Sequence, residues 1–110
     1  EQALDLNEYL IRNENATFIV KANSLSMLDA GIDINDPLIV DRSIPAKSGD
    51  IVIALIDNDF TVKRLMIDSQ FHPPKVWLKA ENPDYQNIYI EEGQELVIWG
   101  VVTYNLKRMR

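Results

Sequence analysis

The sequence predicts a single, mainly β domain with one short helix near its N-terminus. Seven short runs are rich in β-branched and aromatic residues, and turn-forming residues separate them, as in a protein built around a β-sheet. The 110 residues suffice for one hydrophobic core but not for two, and no internal repeat, low-complexity segment or linker interrupts them. We therefore expect residues 1–110 to form one domain.

The helix is predicted to begin immediately after Asp5, which is a suitable N-cap residue. Leu6, Tyr9 and Leu10 have the i, i+3, i+4 spacing of one helical face, and the polar residues 13–15 end the pattern. This apolar stripe is narrow, so we expect the helix to pack on a larger body.

The strands are predicted from short apolar runs bounded by turn residues. Asp57-Asn58-Asp59 predicts a tight hairpin between two of them, because Asn and Asp tolerate left-handed backbone angles. Residues 45–50 and 82–84 predict further loops. The predicted strands are Thr17–Lys21, Leu38–Val40, Ile51–Ile56, Phe60–Ile67, Val76–Leu78, Ile88–Ile90 and Leu96–Leu106.

The last predicted strand is long and apolar on more than one side. Gly100 within it indicates a β-bulge or a close approach of another backbone. A long hydrophobic strand at the edge of a sheet tends to aggregate unless something covers it. We expect a homodimer that forms through this edge; a buried central position for the strand is the alternative.

Composition limits the classes of partner. The net charge of −6 and the pI of about 4.6 oppose direct binding to DNA, so a protein partner is favoured. Lys107, Arg108 and Arg110 form a basic C-terminal cluster, which we interpret as a frayed, solvated terminus.

The chain contains no cysteine, which excludes disulfides and thiolate metal sites and is compatible with a reducing cytosol. No apolar run is long enough to span a bilayer, so we expect a cytoplasmic protein without membrane contact. Because the first residue is Glu1, we expect a fragment or a processed form.

No metal or other cofactor is expected. Two acidic groups lack histidine partners and the spacing of a calcium-binding loop, and we interpret them as solvated loop residues. The four glycines form no phosphate-binding motif. The two acidic groups are Asp29, Asp33 and Asp36, and Glu91, Glu92 and Glu95.

Ser26 and Lys63 are the candidate catalytic residues. The only histidine, His72, precedes two prolines in the sequence Phe71-His72-Pro73-Pro74, which predicts a turn and argues against a Ser-His-Asp triad. A serine nucleophile would then need another base, and a desolvated lysine is the known substitute.

The neighbours of both candidates leave alternatives open. Ser26 follows a strand, where its hydroxyl can lie beside unpaired backbone N–H groups, but a simple cap would also explain Asn23, Ser24 and Ser26. Strand alternation does not choose between Lys63 and Arg64. Chemistry favours lysine, because arginine stays protonated, although a snorkelling strand lysine is the plain alternative.

The sequence resembles the Ser-Lys self-cleaving family of LexA, phage repressors and UmuD-type proteins, and within it the UmuD type. The resemblance runs almost from end to end and preserves the order of its segments. The matching segments are residues 4–7 and 16–22, the serine motif Ser26-Met27, residues 38–41 and 49–54, the lysine motif Phe60-Thr61-Val62-Lys63, residues 100–102 and Met109-Arg110.

The resemblance implies a role for each site residue. Ser26 would be the nucleophile, Lys63 its general base, and the backbone N–H groups of Leu25 and Ser26 the oxyanion donors. The fold would be a strongly curved antiparallel sheet in a homodimer. The family cleaves its own chain when a RecA filament on single-stranded DNA stimulates it, and the processed UmuD type joins a UmuC-type translesion polymerase in the SOS response.

The sequence departs from the family pattern in two respects. Ser24 and Leu25 stand where the family usually has glycine and a polar residue, and no Ala-Gly or Cys-Gly bond precedes Ser26. The chain therefore resembles the cleaved product, without the N-terminal arm that carries the cleavage site. Two alternatives remain: the C-terminal dimerisation and self-cleavage domain of a LexA-like or phage repressor, and a noncatalytic interaction domain in which Ser26 is only a cap.

Overall fold

The computed structural model describes residues 1–110, which form one α-helix, α1 (Leu6–Leu10), and a seven-stranded antiparallel sheet. The predicted mainly β fold is confirmed, and every predicted strand matches an observed one to within a residue at either end. The strands are β1 (Thr17–Lys21), β2 (Pro37–Asp41), β3 (Ile51–Ile56), β4 (Asp59–Asp68), β5 (Lys75–Lys79), β6 (Ile88–Tyr89) and β7 (Leu96–Asn105).

The sheet has the strand order β1-β2-β7-β3-β4-β5-β6 and is strongly curved but not closed. The last strand, β7, pairs with β2 on one side and with β3 on the other. Residues 96–101 of β7 pair with β3 and residues 101–105 pair with β2, so β7 has the central position that was the alternative to an edge. The homodimer contact through this strand stays a prediction. The apolar residues of β7 are explained by a central position, and β1 and β6 are the edge strands.

A β-bulge in β7 accounts for part of the curvature. The register against β3 shifts between Ile53 and Ala54, which leaves Trp99 as the extra residue beside Gly100. A Cβ atom on Gly100 would lie 2.5 Å from Cγ1 of Val40, so any side chain there would force its surroundings to shift. The bulge predicted at Gly100 is present, and the atom that approaches Gly100 most closely belongs to a side chain and not to another backbone.

Local signals determine the short elements. The Asp5 carboxylate accepts hydrogen bonds from the N–H groups of Asn7 and Glu8, and so caps α1 as predicted. Asp57 and Asn58 have φ values of +49° and +73° and form a two-residue turn between β3 and β4.

No helix in the chain combines the length and the apolarity that a membrane span requires.

Two hydrophobic clusters cover the two faces of β3. Because side chains alternate along a strand, Ile53 lies in the first cluster and Val52 in the second. The first cluster contains Met27 and Ile32, so it fixes the segment after β1 against the sheet. That segment carries Ser26. The remaining buried members are Ala22, Leu38 and Val40 in the first cluster, and Ala54, Leu65, Leu78 and Val101 in the second.

Candidate active site

Ser26 lies in a loop, residues 22–36, whose two ends are joined. The Ala22 N–H donates to the Asp36 carbonyl at 2.9 Å, and the Asn35 N–H donates to the Ala22 carbonyl at 2.7 Å. Within the loop Met27 is buried in the first cluster, and Ser26 beside it is only 2% exposed. Closed ends and a buried anchor give the serine a defined position although no regular element contains it.

The connection between β5 and β6 orients the peptide groups around Ser26. The Leu25 carbonyl accepts from Asn82 Nδ2 at 2.8 Å and from the Leu28 N–H at 3.2 Å, and the Ser26 carbonyl accepts from the Glu81 N–H at 2.8 Å. In a trans peptide the N–H points opposite to the C=O. The bond from Asn82 to the Leu25 carbonyl therefore directs the Ser26 N–H, which belongs to the same peptide group, away from the β5–β6 connection.

The two N–H groups named as oxyanion donors have different surroundings. The Ser26 N–H donates to Ser24 Oγ at 3.2 Å, and the Ser24 hydroxyl in turn donates to Ser26 Oγ at 3.0 Å. The Leu25 N–H makes no hydrogen bond within the chain. A hydroxyl oxygen thus already occupies the position that a substrate oxygen would take against the Ser26 N–H.

Lys63 reaches Ser26 from the middle of β4. Its Nζ lies 2.9 Å from Ser26 Oγ, and it donates to Thr61 Oγ1 at 2.6 Å and to the Val62 carbonyl at 3.2 Å. Lys63 is 6% exposed and pairs across the sheet with the fully buried Val52. No carboxylate lies within ion-pair distance of it. Desolvation by burial lowers the pKa of the Lys63 ammonium group.

Arg64 points to other partners, which resolves the choice that periodicity left open. Its Nε forms an ion pair with Glu81 Oε1 at 2.7 Å, and its Nη1 donates to the Gly49 carbonyl. The Glu81 carbonyl also accepts from the Asp29 N–H at 2.8 Å. Arg64 and Glu81 therefore connect the strand that carries Lys63 with the loop that carries Ser26.

The alternative that Ser26 is a helix cap is wrong in this structure. A 3₁₀ turn at Leu28–Ala30 follows it, but the N-cap residue is Met27 and no side chain caps the turn. The hydroxyl of Ser26 contacts Lys63 and Ser24 instead. His72 lies exposed in the loop between β4 and β5, as the two prolines predicted, and bonds to neither candidate.

Asp36 differs from its interpretation as a solvated loop residue. It is buried, and its Oδ2 accepts from Lys107 Nζ at 2.7 Å, Asn105 Nδ2 at 2.9 Å and the Asp33 N–H at 2.8 Å. The hydrogen bonds from Lys107, Asn105 and Asp33 lower the pKa of Asp36 to about 2. The basic tail is accordingly not free at Lys107, because this residue ties the C-terminus to the end of the Ser26 loop.

An apolar cleft of about 280 Å³ is lined by sequence neighbours of the two candidate residues, although neither Ser26 nor Lys63 itself lines it. It shares Thr61 and Val62 with the surroundings of Lys63, and Asn23 with the Ser26 loop. Strand alternation had predicted that Thr61 lies on the same face as Lys63. Nothing in the sequence indicated that Glu81 and Asn82 hold the Ser26 loop. The other lining residues are Val20, Lys21, Ile53, Phe60 and Trp99.

Comparison with known proteins agrees with this architecture. The family described as Peptidase S24-like matches residues 1–103. Protein MucA of Salmonella typhimurium is 43% identical over 107 residues, which cover 96% of this chain and 70% of MucA. Protein ImpA of Shigella flexneri is 42% identical over the whole chain and 72% of its own length. The LexA repressor of Paraburkholderia xenovorans is 45% identical over 76% of this chain, which covers 38% of that repressor.

The family match and the relatives that align along almost the whole chain agree with the curved sheet and with the contact between Lys63 and Ser26. This protein belongs to the Peptidase S24-like family of serine-type self-cleaving proteases and is related to its UmuD-type members.

Proposed function

We propose that residues 1–110 form a single Ser-Lys peptidase domain of the UmuD type, in which Ser26 is the nucleophile and Lys63 its general base. The observation that carries this proposal is the 2.9 Å contact between a buried lysine amine and a buried serine hydroxyl. No carboxylate compensates the lysine charge, so burial favours the neutral amine. Only a neutral amine can accept a proton.

The hydrogen bonds of Lys63 suit the neutral form. A neutral amine offers two N–H donors and one lone pair, whereas an ammonium group offers three donors. The Val62 carbonyl can only accept and the Thr61 hydroxyl is able to accept, so these two partners use both donors. The lone pair is then directed at the third partner, the hydroxyl of Ser26.

The reaction follows from this arrangement. The Ser26 proton passes to Lys63 Nζ while Oγ attacks the carbonyl carbon of a peptide bond, and negative charge develops on the carbonyl oxygen. The backbone N–H groups of Leu25 and Ser26 stabilise that charge. The ammonium of Lys63 returns the proton to the leaving nitrogen as the C–N bond breaks, and water later hydrolyses the ester on Ser26.

The apolar cleft beside the site accommodates side chains that flank the scissile bond. Phe60, Trp99 and Ile53 give it an apolar lining, which favours a hydrophobic peptide segment over a charged one. The substrate we propose is a peptide bond in an N-terminal arm of the same kind of chain.

For the biological role, we propose a homodimeric accessory subunit of a UmuC-type translesion polymerase, in the cytoplasm, with cleavage stimulated by a RecA filament on single-stranded DNA. The relatives MucA and ImpA and the acidic charge of the chain support this role over direct DNA binding. Sedimentation of the chain at micromolar concentration tests the dimer. Copurification with a UmuC-type polymerase tests the partnership, and a monomer that retains no polymerase would contradict both parts.

A second candidate function is the C-terminal self-cleavage domain of a LexA-like repressor, which the identity to the LexA repressor supports. The chain covers 70% of MucA but only 38% of that repressor. The natural sequence upstream of residue 1 distinguishes the two candidates: a short arm supports the UmuD type, and a helix-turn-helix domain supports the repressor.

Cleavage itself is tested by placing an arm with an Ala-Gly bond ahead of residue 1 and incubating the protein with RecA filaments. We expect cleavage of the native sequence and none for Ser26→Ala or Lys63→Ala. Lys47→Ala, which removes an exposed loop lysine, is the control and is expected to cleave normally. Cleavage that survives both substitutions at the site would eliminate the proposed dyad.

A further inference from the structure

We propose that the hydroxyl of Ser24 is a third donor to the oxyanion, in addition to the backbone N–H groups of Leu25 and Ser26. This role rests on the proposed function of Ser26. Ser24 occupies a position where the resemblance leads one to expect glycine, which has no side-chain donor. The inference therefore concerns a property of this chain and not of the shared motif.

The geometry shows a hydroxyl that contacts both the nucleophile and its N–H. Ser24 is half-buried, its Oγ accepts from the Ser26 N–H at 3.2 Å, and its own hydrogen is donated to Ser26 Oγ at 3.0 Å. Ser26 Oγ is the atom on which negative charge first develops as Lys63 removes its proton. The Ser24 hydroxyl is thus already aimed at the developing charge.

The negative charge then moves from Ser26 Oγ to the former carbonyl oxygen of the substrate. In the tetrahedral adduct the attacking oxygen and the former carbonyl oxygen are attached to the same carbon, so they are close neighbours. As the carbonyl oxygen takes the Ser26 N–H, it displaces Ser24 Oγ. Rotation about χ1 of Ser24 then lets the O–H follow the charge to the oxyanion. The backbone need not move, because Asn82 and Glu81 hold the carbonyls of Leu25 and Ser26.

Magnitudes decide whether this hydroxyl blocks the reaction or assists it. The resting bond from the Ser26 N–H is a neutral one, and breaking such a bond changes an equilibrium by roughly two- to tenfold. Removing an oxyanion donor slows catalysis by roughly a hundred- to a thousandfold. Assistance exceeds obstruction, so loss of the Ser24 hydroxyl is expected to slow the reaction by roughly ten- to a hundredfold overall.

The test uses the chain as it exists and an alkyl fluorophosphonate as the probe. Ser26 Oγ forms a bond to phosphorus, fluoride leaves, and the serine proton passes to Lys63; the phosphoryl oxygen takes the place of the oxyanion. Rates of labelling are measured by intact mass from pH 6 to pH 11. The variants are Ser24→Ala, Ser24→Thr, the exposed-loop control Ser69→Ala, and Ser26→Ala to define labelling at other residues.

We expect Ser24→Ala to label roughly ten- to a hundredfold more slowly than the native chain. Ser24→Thr keeps a hydroxyl and is expected to restore most of the rate, and Ser69→Ala is expected to equal the native chain. The pH midpoint of the rate is expected to stay unchanged in Ser24→Ala, because Ser24 makes no hydrogen bond to Lys63. A general distortion of the site would move this midpoint.

Two failures are distinguishable. Labelling that depends on Ser26 but is as fast or faster in Ser24→Ala overturns the donor role and leaves the dyad intact. Labelling that does not depend on Ser26 overturns the proposed function itself, and the role of Ser24 with it.

Discussion

Lys63 Nζ lies 2.9 Å from Ser26 Oγ, although 37 residues separate the two positions in the sequence. Three parts of the fold bring them together. β4 presents the lysine, the loop after β1 presents the serine, and the connection after β5 holds that loop through Glu81 and Asn82. The site therefore depends on hydrogen bonds between segments and not on a single motif.

The buried amine makes the stability of the fold depend on pH. The pKa of Lys63 is lowered in the folded state, so the unfolded chain binds more protons than the folded chain. The buried ammonium group therefore destabilises the fold, and this destabilisation is complete below the folded-state pKa. The destabilisation disappears as the pH rises towards 10.5, the ordinary value. Lys63→Met removes the amine, so its stability relative to the native chain is expected to be higher at pH 7 than at pH 11.

Urea unfolding at the two pH values measures this difference. Lys47→Met, at an exposed position, is the control and should show no such change between pH 7 and pH 11. An equal effect of Lys63→Met at both pH values would mean that the amine is not desolvated.

The ion pair between Asp36 and Lys107 makes the stability of the fold depend on pH in the acidic range, whereas Lys63 does so in the basic range. The pKa of Asp36 is about 2 in the folded state against 3.8 ordinarily, so its contribution is complete above pH 3.8 and is lost as the pH falls through about 2. Asp36→Ala is expected to lower the free energy of unfolding by about 1–3 kcal/mol at pH 7, because three hydrogen bonds are removed.

Denaturant curves between pH 2 and pH 7 check this expectation, with Asp29→Ala, an exposed acid of the same loop, as the matched control. The loss caused by Asp36→Ala should shrink as the pH falls towards 2. A loss that does not change with pH would show that the carboxylate charge contributes nothing.

Gly100 predicts a steric coupling between β7 and β2. A methyl group there would lie 2.5 Å from Val40 Cγ1, and Val40 is completely buried. We expect Gly100→Ala to destabilise the fold by about 1–3 kcal/mol. In a double-mutant cycle, Val40→Ala should cost less in the Gly100→Ala background than in the native one, because it makes room for the methyl group. Additive effects would contradict the contact.

Most of the fold could be predicted because its signals are local. The strands follow from β-branched runs, the cap of α1 from Asp5, and the hairpin from Asp57 and Asn58. The position of β7 could not be predicted in this way. A strand that is apolar on both faces suits either a central place or a covered edge, and only the pairing with β2 and β3 distinguishes them.

The candidate site shows the same division. Ser26 and Lys63 were predicted because a serine nucleophile without a histidine needs another base, and lysine can serve as one. The structure brings the two side chains into contact, while their chemical roles stay a prediction. The parts that hold the serine could not be foreseen. Glu81 acts through its backbone and Asn82 through an ordinary loop amide, and neither leaves a pattern in the sequence.

Asn82 should therefore affect the reactivity of Ser26 without touching it. Asn82→Ala removes the hydrogen bond to the Leu25 carbonyl, which orients the peptide group that bears the Ser26 N–H. We expect labelling of Ser26 by a fluorophosphonate to slow by roughly tenfold, because misplaced donors stabilise the adduct poorly. Asn15→Ala, at an exposed position, is the control. An unchanged rate in Asn82→Ala would show that the loop holds its shape without this bond.

The most direct test of the Ser26–Lys63 pair is the pH dependence of Ser26 labelling in the native chain, Lys63→Ala and Lys63→Arg. The native rate should rise with pH to a midpoint below the ordinary lysine pKa of 10.5, because burial favours the neutral amine. Both variants should lose this rise, since alanine has no base and a guanidinium cannot accept a proton. Ser26 labelling that keeps its native rate and pH profile in both variants would contradict a lysine base.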